Sequence, residues 1–395
     1  MKKTIKDYNL KGKKVIIRCD FNVPIKDGII KDDSRIRKSL KTIRYARKEG
    51  AKVILLSHLG RVKTESDKSK YTLEPVALKL SELLRKKVKF INKTRGKEVE
   101  EAIKDMKEKD VILLENTRFE DVNGKKESNN NYLLGKYWAN LGDVFINDAF
   151  GTIHRNHASN LGIAKKIKHS GIGFLVEKEL TVLSKLKDNP KRPYTIILGG
   201  SKVSDKINLI KKLAEEADYL LIGGAMAFTF LKAAGFNVGS SLCEKDQIPF
   251  CIKLLEKYPD KIILPIDIVT ALEIKEKAKT KTRFLGEIEE DEIGLDIGKK
   301  SLEVFKQYIN DSKTIFWNGP MGYFELNKFS KGTKELGKII SSSKAYKVVG
   351  GGDTARAVNE MGYTREMDYV STGGGASLTY LEGLKMKALG VIDEK

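Results

Sequence analysis

The chain repeats one local pattern that few architectures accept: a short unbroken run of apolar, often β-branched residues, then glycines or polar residues, then a longer stretch with helical period. The first half supplies KVIIRCD (14–20), KVILLSHLGR (52–61), VKFI (88–91), VILLENTRF (111–119) and DVFINDAFGT (143–152). The second half supplies YTIILGGSK (194–202), DYLLIGGAM (218–226), KIILPIDIV (261–269), TIFWNGPMG (314–322), KVVGGGDT (347–354) and DYVSTGGG (368–375). These runs do not alternate apolar with polar, so they read as parallel strands buried on both faces. Stretches such as EPVALKLSELLRKK and SDKINLIKKLAEEA between them read as crossover helices. Strand alternating with helix implies α/β architecture with right-handed crossovers. At 395 residues and 41% hydrophobic content, about two domains are expected. GFLVEKELTVLSKL (173–186) reads as one amphipathic helix linking them. The expected divisions are residues 1–165, an interdomain helix over 166–187, and residues 188–377, with hinge bending at the helix.

Composition narrows the class. MKKTIKDYNLKGKK lacks the apolar middle of a signal peptide, and no apolar run approaches the ~18 residues of a membrane span. A cytoplasmic chain with no membrane partner is the simplest expectation. Cys19, Cys243 and Cys251 form no CxxC pair and no disulfide framework. The net charge of +21 is spread as single or paired lysines among acids on amphipathic stretches. No basic run with interleaved aromatics occurs, so the charge reads as solvated helix face, and no specific nucleic-acid partner is expected.

In open parallel sheets, ligands bind beyond the carboxyl ends of the strands. In the first half those ends carry Asp20, Asn22, His58, Arg61, Arg118, Asp148 and, a little further on, Arg155. Guanidinium groups so gathered suit a small polyanion. In the second half the ends carry mostly glycine, with Lys202, Asn318 and Asp353, a backbone surface suited to a nucleotide. No GxxxxGK[ST] loop occurs. Gly350, Gly352 and Ala355 fit a relaxed dinucleotide fingerprint, but the next strand ends in Ser371 and Thr372 instead of the acid a ribose needs.

GGGDT and STGGGAS set two helix amino termini on consecutive strands, each offering free amides. Lys202 and Lys206, four apart at a strand-to-helix passage, can face one edge of the sheet. Asp353 reads either as a helix N-cap or as a carboxylate that meets nucleotide phosphates through magnesium. HRNH (154–157) has a spacing that can serve zinc, without a third ligand. No GxSxG elbow and no cysteine in a glycine-rich turn beside a histidine occurs, so a covalent intermediate has no candidate. Direct phosphoryl transfer between a small anion and a magnesium nucleotide is the reading that remains.

The segments RCDFNVP (18–24), DDSRIR (32–37), SHLGR (57–61), LENTRF (114–119), NDAFGTIHRNHAS (147–159), LGGSKVSDKI (198–207), FWNGPMGYFE (316–325), GGGDTA (350–355) and STGGGASL (371–378) closely resemble, in order, those of the phosphoglycerate kinase family. The resemblance implies two doubly wound, Rossmann-like lobes. The first would bind 3-phosphoglycerate or 1,3-bisphosphoglycerate through Asp20, Phe21, Asn22, Arg35, His58, Leu59, Gly60, Arg61, Arg118 and Arg155. The second would bind MgADP or MgATP through Gly200, Ser201, Lys202, Lys206, Gly223, Gly294, Asn318, Pro320, Glu325, Gly351, Gly352, Asp353 and Thr354, with Asp353 on Mg2+. Arg35, Lys202, Lys206, Gly373, Gly374 and Gly375 would act on the transferring group. The family is glycolytic, closes by hinge bending and is monomeric, and its tail, here about 378–395, returns to the first lobe. Val62, Ile153 and the Lys299–Lys300 pair depart from common family residues without removing a charged or glycine position.

Overall fold

All five apolar runs of the first half form strands in the computed structural model, which describes residues 1–395. They are β1 (Lys14–Cys19), then β4 (Lys52–Leu56), β5 (Val88–Ile91), β6 (Val111–Leu114) and β7 (Val144–Asp148), after a small hairpin of β2 (Ile25–Lys26) and β3 (Ile29–Ile30). A further strand, β8 (Ser170–Ile172), had no apolar run to announce it. The sheet order is β5-β6-β4-β1-β7-β8, all parallel. Both faces are covered: Val15, Ile17 and Cys19 enter one core cluster, and Ile16 joins Ile54, Ile112 and Phe145 in another. Burial on both faces is why these strands read as unbroken apolar runs. The chain leaves β1 toward β4 and later crosses to β7 on its other side, so the topological switch lies at β1.

The second sheet has the order β11-β10-β9-β15-β16-β17 and is also parallel. Its strands are β9 (Tyr194–Leu198), β10 (Tyr219–Ile222), β11 (Ile262–Ile263), β15 (Thr314–Asn318), β16 (Tyr346–Gly350) and β17 (Tyr369–Val370). Its switch lies between β9 and β15. The run KIILPIDIV, read as one strand, is instead divided. Pro265 offers no N–H, and the chain passes from edge strand β11 into β12 (Asp267–Ala271). β12 pairs antiparallel with β13 (Thr280–Phe284) and β14 (Ile293–Ile297) in a separate sheet.

The chain divides into one unit of Met1–Thr181 with Lys385–Lys395 and another of Val182–Leu384. The linking helix is Phe174–Asp188; residues 166–173, expected within it, include β8. Buried Asp148 accepts hydrogen bonds from the amides of Leu175 (2.9 Å) and Val176 (3.4 Å) in its first turn. The return to the first unit begins at Lys385, later than residue 378, because the helix Gly375–Leu381 belongs to the second unit and buries Leu381. The returning segment lies along the amino terminus. Lys3 donates its amide to Asp393 O (2.8 Å), and Lys395 donates to Met1 O (2.8 Å). The Asp393 carboxylate accepts from Tyr8 Oη (2.9 Å) and Ser170 Oγ (3.1 Å), and Ile392 is buried.

Candidate functional site

In the first unit, the carboxyl ends of β1, β4, β6 and β7 converge on a cationic surface. Asp20, just past β1, is 4% exposed and accepts from Arg35 Nη1 at 2.6 Å. Arg35 stands in the first turn of the helix Ser34–Lys48. Asn22 Oδ1 accepts from the Gly60 amide (2.8 Å), which ties the loop after β1 to the loop after β4. Gly60 has φ +62°, and a Cβ there would stand 2.3 Å from the Tyr71 ring, so only glycine fits. Phe21 and Leu59 are core side chains. Their amides donate to Ser57 Oγ (2.8 Å) and Asn116 Oδ1 (3.1 Å), so they shape the loops through backbone.

Arg118 donates from Nη1 to Asp121 (3.1 Å) and Ser128 Oγ (2.8 Å), while its buried Nε has no partner. Arg155 is exposed and Arg61 is exposed nearby. Desolvation lowers the pKa of Arg155, and the fields of Arg118, Arg61 and Arg35 add to that, with Asp20 alone opposing them. The arginines thus repel one another, offset by Asp20 at Arg35 and by Asp121 at Arg118. The histidines answer the same field. Burial, aided by Arg18, Arg118 and Arg155, holds His58 well below its usual pKa. Burial likewise brings His154 to about 4 and His157 to about 3, with the arginines adding to it. Neutral imidazoles among fixed guanidiniums make a surface that a polyanion stabilises by supplying the missing charge.

In the second unit the switch between β9 and β15 is built from backbone in contact with backbone. The Gly199 amide donates to Asn318 O (2.8 Å), Gly200 to Pro320 O (3.1 Å) and Met226 to Gly200 O (3.0 Å). A Cβ on Gly199 would lie 2.0 Å from Pro320 O. Gly199→Ala should therefore destabilise the protein by roughly 1–3 kcal/mol. Denaturant titration checks this, and an unchanged midpoint would contradict the packing. Gly223 meets Met321 Sδ in the same way, at 2.3 Å. Gly294 would strike the Phe228 ring at 2.1 Å, which leaves that ring as a flat wall.

These elements line an open cavity of about 210 Å³. Gly200, Ser201, Gly294, Pro320, Glu325 and Asp353 line it, together with Phe228, Ile268, Leu295 and Met321, which are largely apolar and suit a flat heterocycle. Asp353 is exposed at the start of the helix Gly352–Glu360, whose N-cap is Gly351 (φ +90°) with no side-chain cap. The N-cap reading of Asp353 is thereby excluded. Thr354 Oγ1 accepts from the Gly319 amide (2.6 Å). Asn318 bridges two elements: Nδ2 donates to Gly350 O (2.9 Å), and Oδ1 accepts from Lys206 Nζ (3.0 Å). Lys206 also donates to Gly199 O (2.8 Å), and burial lowers its pKa to about 8 against the pull of Asp205 and Asp353.

Lys202 is exposed and precedes the short 3-10 turn Ser204–Lys206, whereas Lys206 caps the helix Ile207–Glu216. Between them lies that turn, so the strand-to-helix passage is not one continuous helix. Glu244, which the sequence reading passed over, fixes this turn by accepting from the amides of Val203 (2.6 Å) and Ser204 (3.1 Å). Gly373, Gly374 and Gly375 form the turn after β17; Gly374 has φ +50°, and the Gly373 amide donates to Ser371 Oγ (3.0 Å). Also passed over were Phe228, Leu295 and Asp296. Asp296 accepts from the amides of Ile297 (2.9 Å) and Gly332 (2.7 Å), and burial raises its pKa to about 7. An acid inside the apolar run IGLDI (293–297) was its only signal. Arg18, a lone cation inside an apolar strand, was passed over as well.

The family model described as phosphoglycerate kinase matches residues 5–384. Phosphoglycerate kinase of Enterococcus faecalis is 53% identical over 395 residues, all of both chains, and that of Lacticaseibacillus casei is 52% identical over 99% of both. Among solved structures, phosphoglycerate kinase from Coxiella burnetii superposes with TM-score 0.88 at 38% identity over 99% of each chain. That from Pyrococcus horikoshii gives 0.85 at 32% identity, over 99% of this chain and 98% of the other. Whole-length identity of this degree, on the same two-sheet architecture, means that the chain belongs to the phosphoglycerate kinase family.

Proposed function

We propose that the arginine surface of the first unit binds the 3-phosphoglycerate moiety and that the glycine-lined cavity of the second binds the magnesium nucleotide. The chain is a carboxyl-group phosphotransferase of glycolysis, acting reversibly on 1,3-bisphosphoglycerate and ADP to give 3-phosphoglycerate and ATP. The observation that carries the site assignment is the cluster of mutually repelling guanidiniums around Asp20. A phosphate and a carboxylate on one small molecule relieve that repulsion, whereas a neutral ligand would not.

In the proposed mechanism a β-phosphate oxygen of ADP attacks the acyl phosphorus, the P–O bond to the carboxyl breaks, and the carboxylate leaves. No proton has to move. Arg35, standing beside Asp20, neutralises charge growing on the leaving oxygen, and Lys206 and Lys202 meet the transferring group and the nucleotide phosphates. Amides at Gly373, Gly374 and Gly375 contribute further donors. Asp353 is accessible, uncapped and at the cavity wall, so its carboxylate would hold the magnesium ion of a bound nucleotide. Such an ion would offset phosphate charge. We further propose a cytoplasmic monomer; no helix is long and apolar enough to cross a membrane.

A coupled assay with glyceraldehyde-3-phosphate dehydrogenase tests the activity: folded protein that fails to consume 3-phosphoglycerate with ATP would refute it. Asp353→Ala should weaken MgADP binding roughly ten-fold while leaving 3-phosphoglycerate affinity unchanged. Separate calorimetric titrations of each ligand check this; equal losses would remove Asp353 from the metal.

A further inference from the structure

Arg18 is wholly buried in β1 and has no place among the substrate-binding residues assigned above. Its orientation is set on every side. Nε donates to Ser159 Oγ at 2.8 Å, and Nη1 donates to Cys19 O. Ser159 is itself held by buried Glu127, which accepts from the Ser159 hydroxyl and from its amide (2.9 Å). The remaining nitrogen, Nη2, is thereby aimed at Nδ1 of His58, 3.4 Å away. A guanidinium carries donors only, so at this contact the imidazole nitrogen can only accept.

We propose that Arg18 is a positioning residue that fixes the tautomer of His58, so that the ring proton sits on Nε2, the nitrogen left to offer a hydrogen bond to the bound anion. An arginine buried in a strand is then more than a strut. A doubly protonated His58 would set an N–H against the Arg18 N–H, and the groups facing the ring, Arg18, Arg118, Arg155 and His157, all disfavour the added charge. The cluster therefore includes a hydrogen-bond donor that adds no positive charge to the three guanidiniums around it. The ring can donate to a phosphate or carboxylate oxygen throughout the neutral pH range without taking up a proton.

The inference rests on the reading of His58 as a 3-phosphoglycerate contact, and the two can fail separately. In protein labelled with 15N-histidine, with His58 assigned by its absence in His58→Gln, long-range 1H–15N spectra should show Nε2 protonated and Nδ1 bare from pH 6 to 8. A protonated Nδ1, a tautomer mixture or a doubly protonated ring overturns the proposal. Adding 3-phosphoglycerate should move the Nε2 resonance; an unmoved resonance on a ring of the expected tautomer would overturn only the contact. Arg18→Lys, which keeps a donor, should preserve the tautomer. Arg18→Met should scramble it and raise KM for 3-phosphoglycerate roughly ten-fold, with kcat and the nucleotide KM little changed. Should Arg18→Met not fold, the wild-type spectrum and Ser159→Ala decide, since Ser159→Ala frees the guanidinium from one of its anchors and should shift the Nδ1 resonance. A Ser159→Ala spectrum identical to wild type would mean that the Glu127–Ser159 anchor does not aim Arg18.

Discussion

Lys206→Ala is expected to lower turnover by roughly two to three orders of magnitude. The lysine is placed by Gly199 O and Asn318 Oδ1, and its burial brings the pKa down from the usual 10.5 to about 8. The same desolvation that disfavours the charge strengthens its pull on a phosphoryl group. The sign of the pH effect follows. Between about 8 and 10.5 the unfolded chain binds this proton more strongly than the folded one. The cost of holding the charge is therefore fully present below about pH 8 and fades as pH rises toward 10.5, so this group's share of ligand-free stability grows across that window. Nucleotide phosphates favour the charged amine, so MgADP binding near pH 8.5 should take up a proton. Calorimetry in buffers of unlike ionisation enthalpy measures that uptake. Heats independent of buffer, or a Lys206→Ala enzyme with near-normal turnover, would remove the lysine from phosphate contact.

Arg35→Ala should cost about a hundred-fold in kcat while ADP affinity stays within a factor of two. The guanidinium is only partly buried and is held by one strong contact, the 2.6 Å hydrogen bond to Asp20. Its nearest function is therefore electrostatic and local to the first unit. Truncation leaves Asp20 buried without its partner, so the variant should also bind 3-phosphoglycerate less well. Steady-state kinetics in both directions, with ADP binding titrated separately, distinguishes the outcomes. Equal losses in turnover and nucleotide affinity would contradict a role at the leaving oxygen.

Both sheets were legible in the sequence because strands buried on two faces must be apolar throughout, and their ends could be read as ligand surfaces for the same reason. β8 was not legible: SGI is three residues long and carries no apolar run. The antiparallel sheet was hidden because β13, TKTRF, is exposed and polar, so neither its composition nor its burial marks it. That cost the reading the cavity wall at Leu295 and Asp296. Arg18 and Glu127 were missed for a different reason. Their partners, Ser159 and His58, are distant in sequence, and a buried ionic relay has no local periodicity. Lys202 and Lys206 were singled out by their glycine context, but spacing could not reveal the 3-10 turn between them.

The eleven residues Lys385–Lys395 belong with Met1–Thr181, while Val182–Leu384 is continuous. On the ribosome, the first half emerges early yet lacks its closing piece, including the buried Ile392 and the Asp393 carboxylate that joins Tyr8 to Ser170. The second unit has all its residues in hand before that piece appears. Order of synthesis and order of completion are thus reversed: a chain released after Leu384 would hold every residue of the second unit while the first still lacked its closing segment.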